Sequence, residues 1–250
     1  MEFLEKVVLV TGGGSGIGKA SALAFAAQGA DIVIADMDEK GGAEVVEEIK
    51  SKEGNAVFIK TDVSQYEQVK HLIAESINIF GQIDVALNNA GIGGDGSLKT
   101  GDTTLDDWDK VIAVNQSGVF YCMKEELQHM MTRKTGVIIN TASIAGLKGL
   151  ANAIPYVASK HAVVGMTKTA SMEYAKHGIR INALCPVFTP TKLFTPEAYG
   201  SLADAFKKRI PMKRFADVSE MADAMLWLAS DKAGFVTGLS LPIDGGMSAF

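Results

Sequence analysis

Seven short runs of β-branched and aliphatic residues recur along this chain, at 7–11, 31–36, 56–60, 83–88, 136–141, 180–184 and 239–243. Between them lie longer stretches with helical periodicity, near 16–28, 39–52, 65–80, 104–131, 155–176 and 218–230. This alternation confines the fold to the α/β class. Parallel strands need crossover connections, and a helix lying on the sheet covers its apolar face. Right-handed crossovers then leave a doubly wound, Rossmann-type parallel sheet of seven strands with helices on both faces as the simplest arrangement. No linker, internal repeat or shift of composition divides the 250 residues, so 1–250 is read as a single domain. The stretch 186–214 interrupts the pattern with Pro186, Pro190, Pro196 and Pro211 and a helix-like piece near 197–208. It follows the carboxyl end of a strand, where such sheets bind ligands, and is read as a substrate lid.

Composition removes several functional classes. A hydrophobic share of 47 % with 21 % charged residues belongs to a globular chain. A net charge of −5 repels phosphate backbones, which argues against nucleic acid as a partner. There is no apolar run of membrane-spanning length. The start, MEFLEKVVLVTGGG, carries acidic residues and leads into a glycine turn rather than a cleavage site, so the expected location is the cytoplasm. Cys122 and Cys185 form no CxxC, and His71, His129, His161 and His177 lack ligand spacing, so no metal is expected. The segment 111–123 has no charged residue, and 155–176 has only Lys160, Lys168, Glu173 and Lys176. A helix apolar on every side needs cover on both sides. The sheet supplies one; a second copy of the chain is expected to supply the other, in a homotetramer or alternatively a homodimer. The competing reading is a core helix beneath a loop.

The first strand runs into Thr11-Gly12-Gly13-Gly14-Ser15-Gly16-Ile17-Gly18, and a helix follows. Glycines permit a tight turn and let backbone N–H groups approach a pyrophosphate at the helix N-terminus. Asp36, eighteen positions beyond Gly18, ends the second strand. A carboxylate there accepts hydrogen bonds from ribose hydroxyls and repels a 2′-phosphate. No Lys or Arg replaces Ser15 or Met37 to offset that repulsion, so the expected cofactor is NAD rather than NADP.

The glycine spacing is TGxxxGxG, and with it the chain resembles the short-chain dehydrogenase/reductases over essentially its whole length, in their short single-domain branch. The resemblance implies that Gly12, Ser15, Gly16 and Gly18 form the phosphate loop, with the Ile17 N–H on the pyrophosphate. It implies that Asp62 and Val63 line the adenine. It matches Asn88-Asn89-Ala90-Gly91 to the family's NNAG signature, placing Asn89, Ala90 and Gly91 on the adenosine side. Pro186-Val187-Phe188-Thr189-Pro190-Thr191 departs from the usual Pro-Gly-x-Ile/Val-x-Thr. Pro186 and Thr191 match, and the Thr189 backbone stands where the family meets the carboxamide. Val187 replaces a glycine, and valine disfavours a left-handed backbone.

Tyr156 and Lys160 are four apart on a predicted helix, hence on one face. Free tyrosine, with a pKa near ~10, is a poor base at neutral pH. A neighbouring ammonium favours the phenolate by ~1–3 units. Alone, YxxxK also fits a surface helical pair. Ser143 lies thirteen positions earlier, just past a strand. By resemblance it holds the substrate oxygen together with Tyr156. Asn115, in Asn115-Gln116-Ser117-Gly118, matches the fourth member of the family's set and by resemblance holds a water linking Lys160 to solvent. Asn115, Ser143, Tyr156 and Lys160 are therefore the candidate catalytic residues. They imply an NAD-dependent enzyme interconverting a secondary alcohol and a ketone by hydride transfer, with Tyr156 as general acid/base.

Several features bear on the substrate. Phe188, Leu193 and Phe194 suggest an apolar wall, and Lys148 and Lys192 are single charges. The expected substrate is a small or medium neutral carbonyl compound; a 3-oxoacyl thioester, a sugar and a steroid are the alternatives within the family. A non-catalytic NAD-binding regulator is the reading from another class, and it has no need of all four catalytic residues. By the resemblance, enoyl reductases space the Tyr and Lys more widely. Ile243-Asp244-Gly245-Gly246 matches a family segment that contributes to subunit contacts. For the mildly apolar tail 247–250, reaching a neighbouring subunit and fraying are equally open.

Overall fold

The structure is a computed structural model and describes residues 1–249; Phe250 of the apolar tail lies outside them. The strands are β1 (Val7–Thr11), β2 (Asp31–Asp36), β3 (Ala56–Lys60), β4 (Val85–Asn88), β5 (Gly136–Thr141), β6 (Ile179–Pro186) and β7 (Ser240–Ile243). They form one parallel sheet in the order β3-β2-β1-β4-β5-β6-β7. The helices are α1 (Gly16–Ala27), α2 (Glu39–Lys50), α3 (Tyr66–Phe80), α4 (Leu105–Ile112), α5 (Gly118–Arg133), α6 (Ile154–Tyr174), α7 (Ser201–Arg209) and α8 (Val218–Ala229).

Successive residues of a strand point to opposite faces, so each strand feeds two cores. Leu9, Val33, Ala86, Ile138 and Ile181 pack with α3, α5 and α6. Val8, Val10, Ile32, Ile34, Leu87 and Ile139 pack on the other face with Phe25 of α1, Val45 of α2 and Met225 of α8. Double cover explains why the strands read as continuous apolar runs rather than as alternating ones.

β1 lies between β2 and β4, so the strand order reverses beside it. A crevice opens at the carboxyl ends of the strands there, where ligands of open α/β sheets bind. The register brings three strand ends level: Thr11 pairs with Asn88, and Asn88 with Asn140. β5 continues one residue further, with Thr141 opposite Leu184.

Most boundaries fall within two residues of the sequence expectation, and three differences bear on the site. β4 begins at Val85 rather than at 83: Asp84 still pairs through its backbone with Val7 and Val137 at 2.9 Å, but the Ile83 N–H leaves the ladder for a side chain. Asp84 Oδ2 accepts the Val7 N–H at 2.9 Å, and His129 Nε2 accepts the Ile83 N–H at 3.1 Å. β6 runs to Pro186, since proline at a strand's end costs no ladder donor that the site needs. The single helix expected at 104–131 is divided by a π-helical turn, Ala113–Ser117, between α4 and α5. Such a wide turn is common at functional sites, and this one carries Asn115.

The segment between β6 and α8 leaves the sheet, forms a short 3-10 turn at Pro196–Tyr199 and the helix α7, and returns to α8. α8 starts on a capping box in which the Asp217 side chain accepts the Ser219 N–H and Glu220 accepts the Asp217 N–H.

Candidate active site

The turn from β1 into α1 is built for close approach. Gly12 and Gly16 hold left-handed φ values of 64° and 53°. A Cβ at Gly18 would stand 2.2 Å from the Gly12 carbonyl oxygen, and one at Gly12 would stand 2.8 Å from Ala90 Cα. Ser15 precedes α1 in an extended conformation and makes no side-chain cap bond. The first N–H groups of the helix, at Gly16, Ile17 and Gly18, are those that an α-helix leaves without an intrahelical partner. The donor set suits a pyrophosphate, and the glycine cradle leaves backbone, not side chain, at its surface.

Asp36 closes β2 beside this cradle. Its Oδ2 accepts the Gly14 N–H and its Oδ1 the Asp38 N–H, both at 2.9 Å, so the carboxylate is fixed in direction. Asp62 accepts the backbone N–H and the hydroxyl of Ser64 at 2.9 and 2.7 Å. Val63 is buried against Gly118, where a Cβ would come within 2.9 Å of its side chain. That contact is why the residue opening α5 is a glycine.

The turn after β4 forms the other wall. Asn89 Nδ2 donates to the Thr11 and Gly12 carbonyls at 3.2 Å, so its amide braces the glycine turn. The Thr11 hydroxyl accepts the N–H groups of Asn89 and Ala90 at 3.0 and 3.2 Å. Sequence reasoning treated Thr11 only as the start of the loop; its signal was a hydroxyl at the last position of the first strand. A Cβ on Gly91 would face Asn115 Oδ1 at 3.2 Å and Lys160 Nζ at 3.5 Å, so both groups converge on this spot.

The candidate catalytic residues come together from three elements. Ser143 follows β5, and its Oγ accepts the Ala145 N–H at 3.1 Å. Tyr156 and Lys160 project from α6, which begins with Pro155 in its first turn. Ser143 and Tyr156 are hydrogen-bonded through their side chains. Lys160 Nζ lies 5.6 Å from the Tyr156 ring centroid and donates to the Thr141 carbonyl at 2.8 Å. Asn115 is fully buried; its Oδ1 accepts the Ile92 N–H and its Nδ2 donates to the Ile92 carbonyl, both at 2.8 Å, and to Ser159 Oγ at 3.3 Å. Its polar atoms are thereby satisfied, as a buried amide requires.

The electrostatics of the protein alone differ from the sequence expectation. Burial raises Tyr156 above its ordinary value, and the Ser143 hydrogen bond opposes this only in part. Burial brings Lys160 down to about 8, with the Cys185 thiol acting in the opposite sense. The ammonium is itself desolvated and its donor is engaged by Thr141, so it does not by itself bring the phenol into the neutral range.

The β6–α8 segment crosses the crevice. Pro186 ends β6 and Thr189 is buried, its hydroxyl donating to the Val187 carbonyl at 2.9 Å. A Cβ on Gly16 would meet the Thr191 side chain at 2.9 Å, so Thr191 sits directly on the phosphate loop. Val187 is buried and its φ lies outside the left-handed region, so the residue that replaces the family's glycine is unstrained. Phe188 stacks on Phe206 at 4.7 Å and packs edge-on or tilted against Phe194 and Phe215, forming an aromatic cluster. Lys192 is not a lone solvated charge: its Nζ donates to Asp38 Oδ2 at 2.8 Å, joining this segment to the end of β2. That bond is the main reason the Asp38 carboxyl sits below its ordinary value. Lys148 Nζ reaches the Met247 carbonyl at 3.5 Å. Among the described residues no group of three His, Cys, Asp or Glu is arranged to hold a metal, and no helix is long and apolar enough to cross a membrane.

Sheet order, glycine cradle and the Ser-Tyr-Lys group together define a dinucleotide-binding α/β oxidoreductase. A family model described as Enoyl-(Acyl carrier protein) reductase matches residues 12–248. A 2,5-dichloro-2,5-cyclohexadiene-1,4-diol dehydrogenase of Sphingobium indicum is 41 % identical over 247 residues, covering 98 % of this chain and 97 % of that protein. The crystal structure of levodione reductase superimposes with a TM-score of 0.96 at 36 % identity, covering 99 % of both chains. An NAD+-bound xylitol dehydrogenase structure matches with a TM-score of 0.94 at 32 % identity, covering 98 % of this chain and 100 % of that one. The chain belongs to the short-chain dehydrogenase/reductase family, whose members use NAD(P).

Proposed function

We propose that this protein interconverts a secondary alcohol and a ketone with NAD, using Tyr156 as the proton-transferring group. The observation that carries the reading is the convergence of Ser143, Tyr156 and Lys160 at the carboxyl edge of the sheet, beside the glycine cradle. Gly12, Ser15, Gly16, Ile17 and Gly18 would hold the pyrophosphate, and Asp36 would take the adenosine ribose hydroxyls. Asp62 and Val63 would border the adenine, Asn89, Ala90 and Gly91 would form the opposite wall, and Pro186, Thr189 and Thr191 would close over the nicotinamide end. When bound, the nicotinamide supplies the site that accepts or gives the hydride. NAD is favoured over NADP because the Asp36 carboxylate, fixed at the end of β2, would accept ribose hydroxyls and repel a 2′-phosphate.

Tyr156 takes the alcohol proton in oxidation and returns it to the ketone oxygen in reduction. Ser143 holds that oxygen and keeps the two hydroxyls in register. Lys160, buried and cationic below pH of about 8, adds positive charge next to Tyr156 when the phenolate forms. Asn115 Oδ1 and Lys160 Nζ both face Gly91, and a water held by Asn115 would return the proton from Lys160 to solvent.

The substrate proposed is a neutral cyclic or medium-sized secondary alcohol. The aromatic cluster of the β6–α8 segment, acting as a lid, supports an apolar wall, and Leu193 comes within reach of Gly93 across the crevice. The cyclohexadienediol dehydrogenase among the relatives has a cyclic diol in its name, which supports the same class. A homotetramer is proposed from the exposed apolar residues Leu105, Phe120 and Met172 on α4, α5 and α6, at 81 %, 52 % and 83 % exposure.

The test is an NAD+-dependent screen over cyclic secondary alcohols, sugars and hydroxyacyl thioesters, with Tyr156→Phe beside the wild type. The variant should bind NADH normally and lose turnover by about 10²–10⁴-fold. Near-normal turnover in Tyr156→Phe would sink the assignment.

A further inference from the structure

Glu126 of α5 is completely buried beneath the active site, and the mechanism above gives it no part. Its Oε2 accepts from Asn88 Nδ2 at 3.0 Å. The bond belongs to a polar run that spans β4 and β5 on the face covered by α5 and α6. Asn88 Nδ2 also donates to Asn140 Oδ1 at 3.0 Å, Asn140 Nδ2 donates to Thr167 Oγ1 at 2.9 Å, and the Thr167 hydroxyl donates to the Val163 carbonyl at 2.8 Å. α5, β4, β5 and α6 are thus tied by one run of side chains.

The direction of the run is fixed from the Thr167 end. A hydroxyl whose proton goes to Val163 must accept from Asn140, so Asn140 presents Nδ2 to Thr167 and Oδ1 to Asn88. Asn88 must then present its own Nδ2, which serves both Asn140 and Glu126. Two buried oxygens are left without a donor: Asn88 Oδ1 and Glu126 Oε1. They belong to the same acid–amide pair, joined already by the Asn88 Nδ2 bond to Glu126 Oε2. An ionised carboxylate leaves both oxygens bare in an apolar surrounding, whereas one proton supplies the missing donor.

We propose that Glu126 is a positioning residue held as the neutral acid, whose O–H donates to Asn88 Oδ1 and locks the end of β4 against β5 and α6. Asn88 is followed directly by Asn89, Ala90 and Gly91, and Asn140 by Thr141, whose carbonyl holds Lys160. The pair therefore sets the height of the cofactor wall relative to the lysine, which rests on the dinucleotide reading of that wall. Burial raises Glu126 to about 8, with Asn88 alone in opposition. The groups that face it carry no counter-charge. They are the Cys122 thiol one turn earlier on α5, itself pushed up by burial and by Glu126, and Asn88 of β4, beyond which the run continues through the uncharged Asn140 of β5 and Thr167 of α6. The ionic groups Lys124 and Glu125 pair with each other and with Tyr66 of α3, and Lys70 of α3 acts on Glu125.

Glu126→Gln replaces the acid by an amide with the same donor and acceptor, and Glu126→Ala removes both. Thermal melting without cofactor, from about pH 6 to about pH 9, should show the wild type losing stability relative to Glu126→Gln by several degrees as pH rises. The folded pKa lies above the unfolded one, so the stability is present at low pH and lost towards about 8. Infrared spectra of the wild type near neutral pH should contain a protonated-carboxyl band that disappears on raising the pH. That arm stands even where a variant folds poorly. Parallel melting curves for wild type and Glu126→Gln, or no such band, overturn the proposal. In turnover, Glu126→Ala should raise KM for NAD+ by about tenfold with kcat little changed, and Glu126→Gln should restore it. If Glu126→Gln is as impaired as Glu126→Ala, the acid–amide pair is not what positions the wall. Melting and infrared measurements need no dinucleotide, so a failure of the NAD reading is distinguishable from a failure of this one.

Discussion

Replacing Lys160 by methionine is expected to stabilise the cofactor-free protein while abolishing turnover. Lys160 is 3 % exposed and has the Thr141 carbonyl as its hydrogen-bond partner. Its pKa falls from 10.5 to about 8 because burial disfavours the ammonium. That shift corresponds to about 3 kcal/mol of unfavourable charge burial near pH 7. Methionine fills nearly the same volume without the charge, and losing the Thr141 bond costs about 1–2 kcal/mol. The net gain is about 1–2 kcal/mol, or about 2–8 °C in Tm for a chain of this size. The pH dependence separates this from ordinary repacking. The folded pKa lies below the unfolded one, so the wild type gains stability as pH rises from about 8 to about 10.5, where only the unfolded chain still holds the proton. The variant lacks that gain, and the gap between the two proteins should close by about pH 10. Calorimetric melts at several pH values, with turnover on the same samples, make the measurement. A variant less stable than wild type by more than about 1 kcal/mol near pH 7, or a gap that does not change with pH, would refute the reasoning.

Two further outcomes follow from the cofactor side. Asp36→Ala removes the acceptor for the Gly14 and Asp38 N–H groups and the charge that faces a 2′-phosphate. It should lower kcat/KM for NAD+ by about 10–100-fold and raise the NADP+/NAD+ ratio at least about tenfold, helped by the nearby Lys192 ammonium. An unchanged ratio in steady-state kinetics would show that Asp36 does not set the preference. Gly18→Ala places a Cβ 2.2 Å from the Gly12 carbonyl oxygen and 2.7 Å from Asn89 Nδ2. The turn must open, at about 1–3 kcal/mol, and NADH affinity by fluorescence titration should fall by about tenfold or more. Wild-type affinity in that variant would mean that the cradle is more pliant than its contacts imply.

Much of the site was legible because its residues are local. The glycine turn, Asp36 and the Tyr156–Lys160 pair each depend on spacing along one loop, strand or helix. Thr11 was passed over because its role is to accept N–H groups from a turn 78 and 79 positions away. Lys192 was read as an isolated charge because its partner, Asp38, lies 154 positions earlier. The π-helical turn at Asn115 left no mark in the apolar pattern, since a single residue added to a helical turn does not change which residue types it contains. The expectation that Lys160 lowers the tyrosine left out burial, which acts on both groups in the cofactor-free protein: proximity is written in the spacing, but desolvation is not.

By itself the sequence determined the α/β alternation, the doubly wound topology and the identity of the residues gathered at the crevice. Short-range periodicity and chain handedness decide these before any long-range contact forms. The tertiary structure alone decided how charge behaves among them. Burying Lys160, Tyr156 and Glu126 moves each towards its neutral form, because the free energy of a charge depends on everything that displaces water around it. That displacement is a property of the packed whole, shared among β4, β5, α5 and α6.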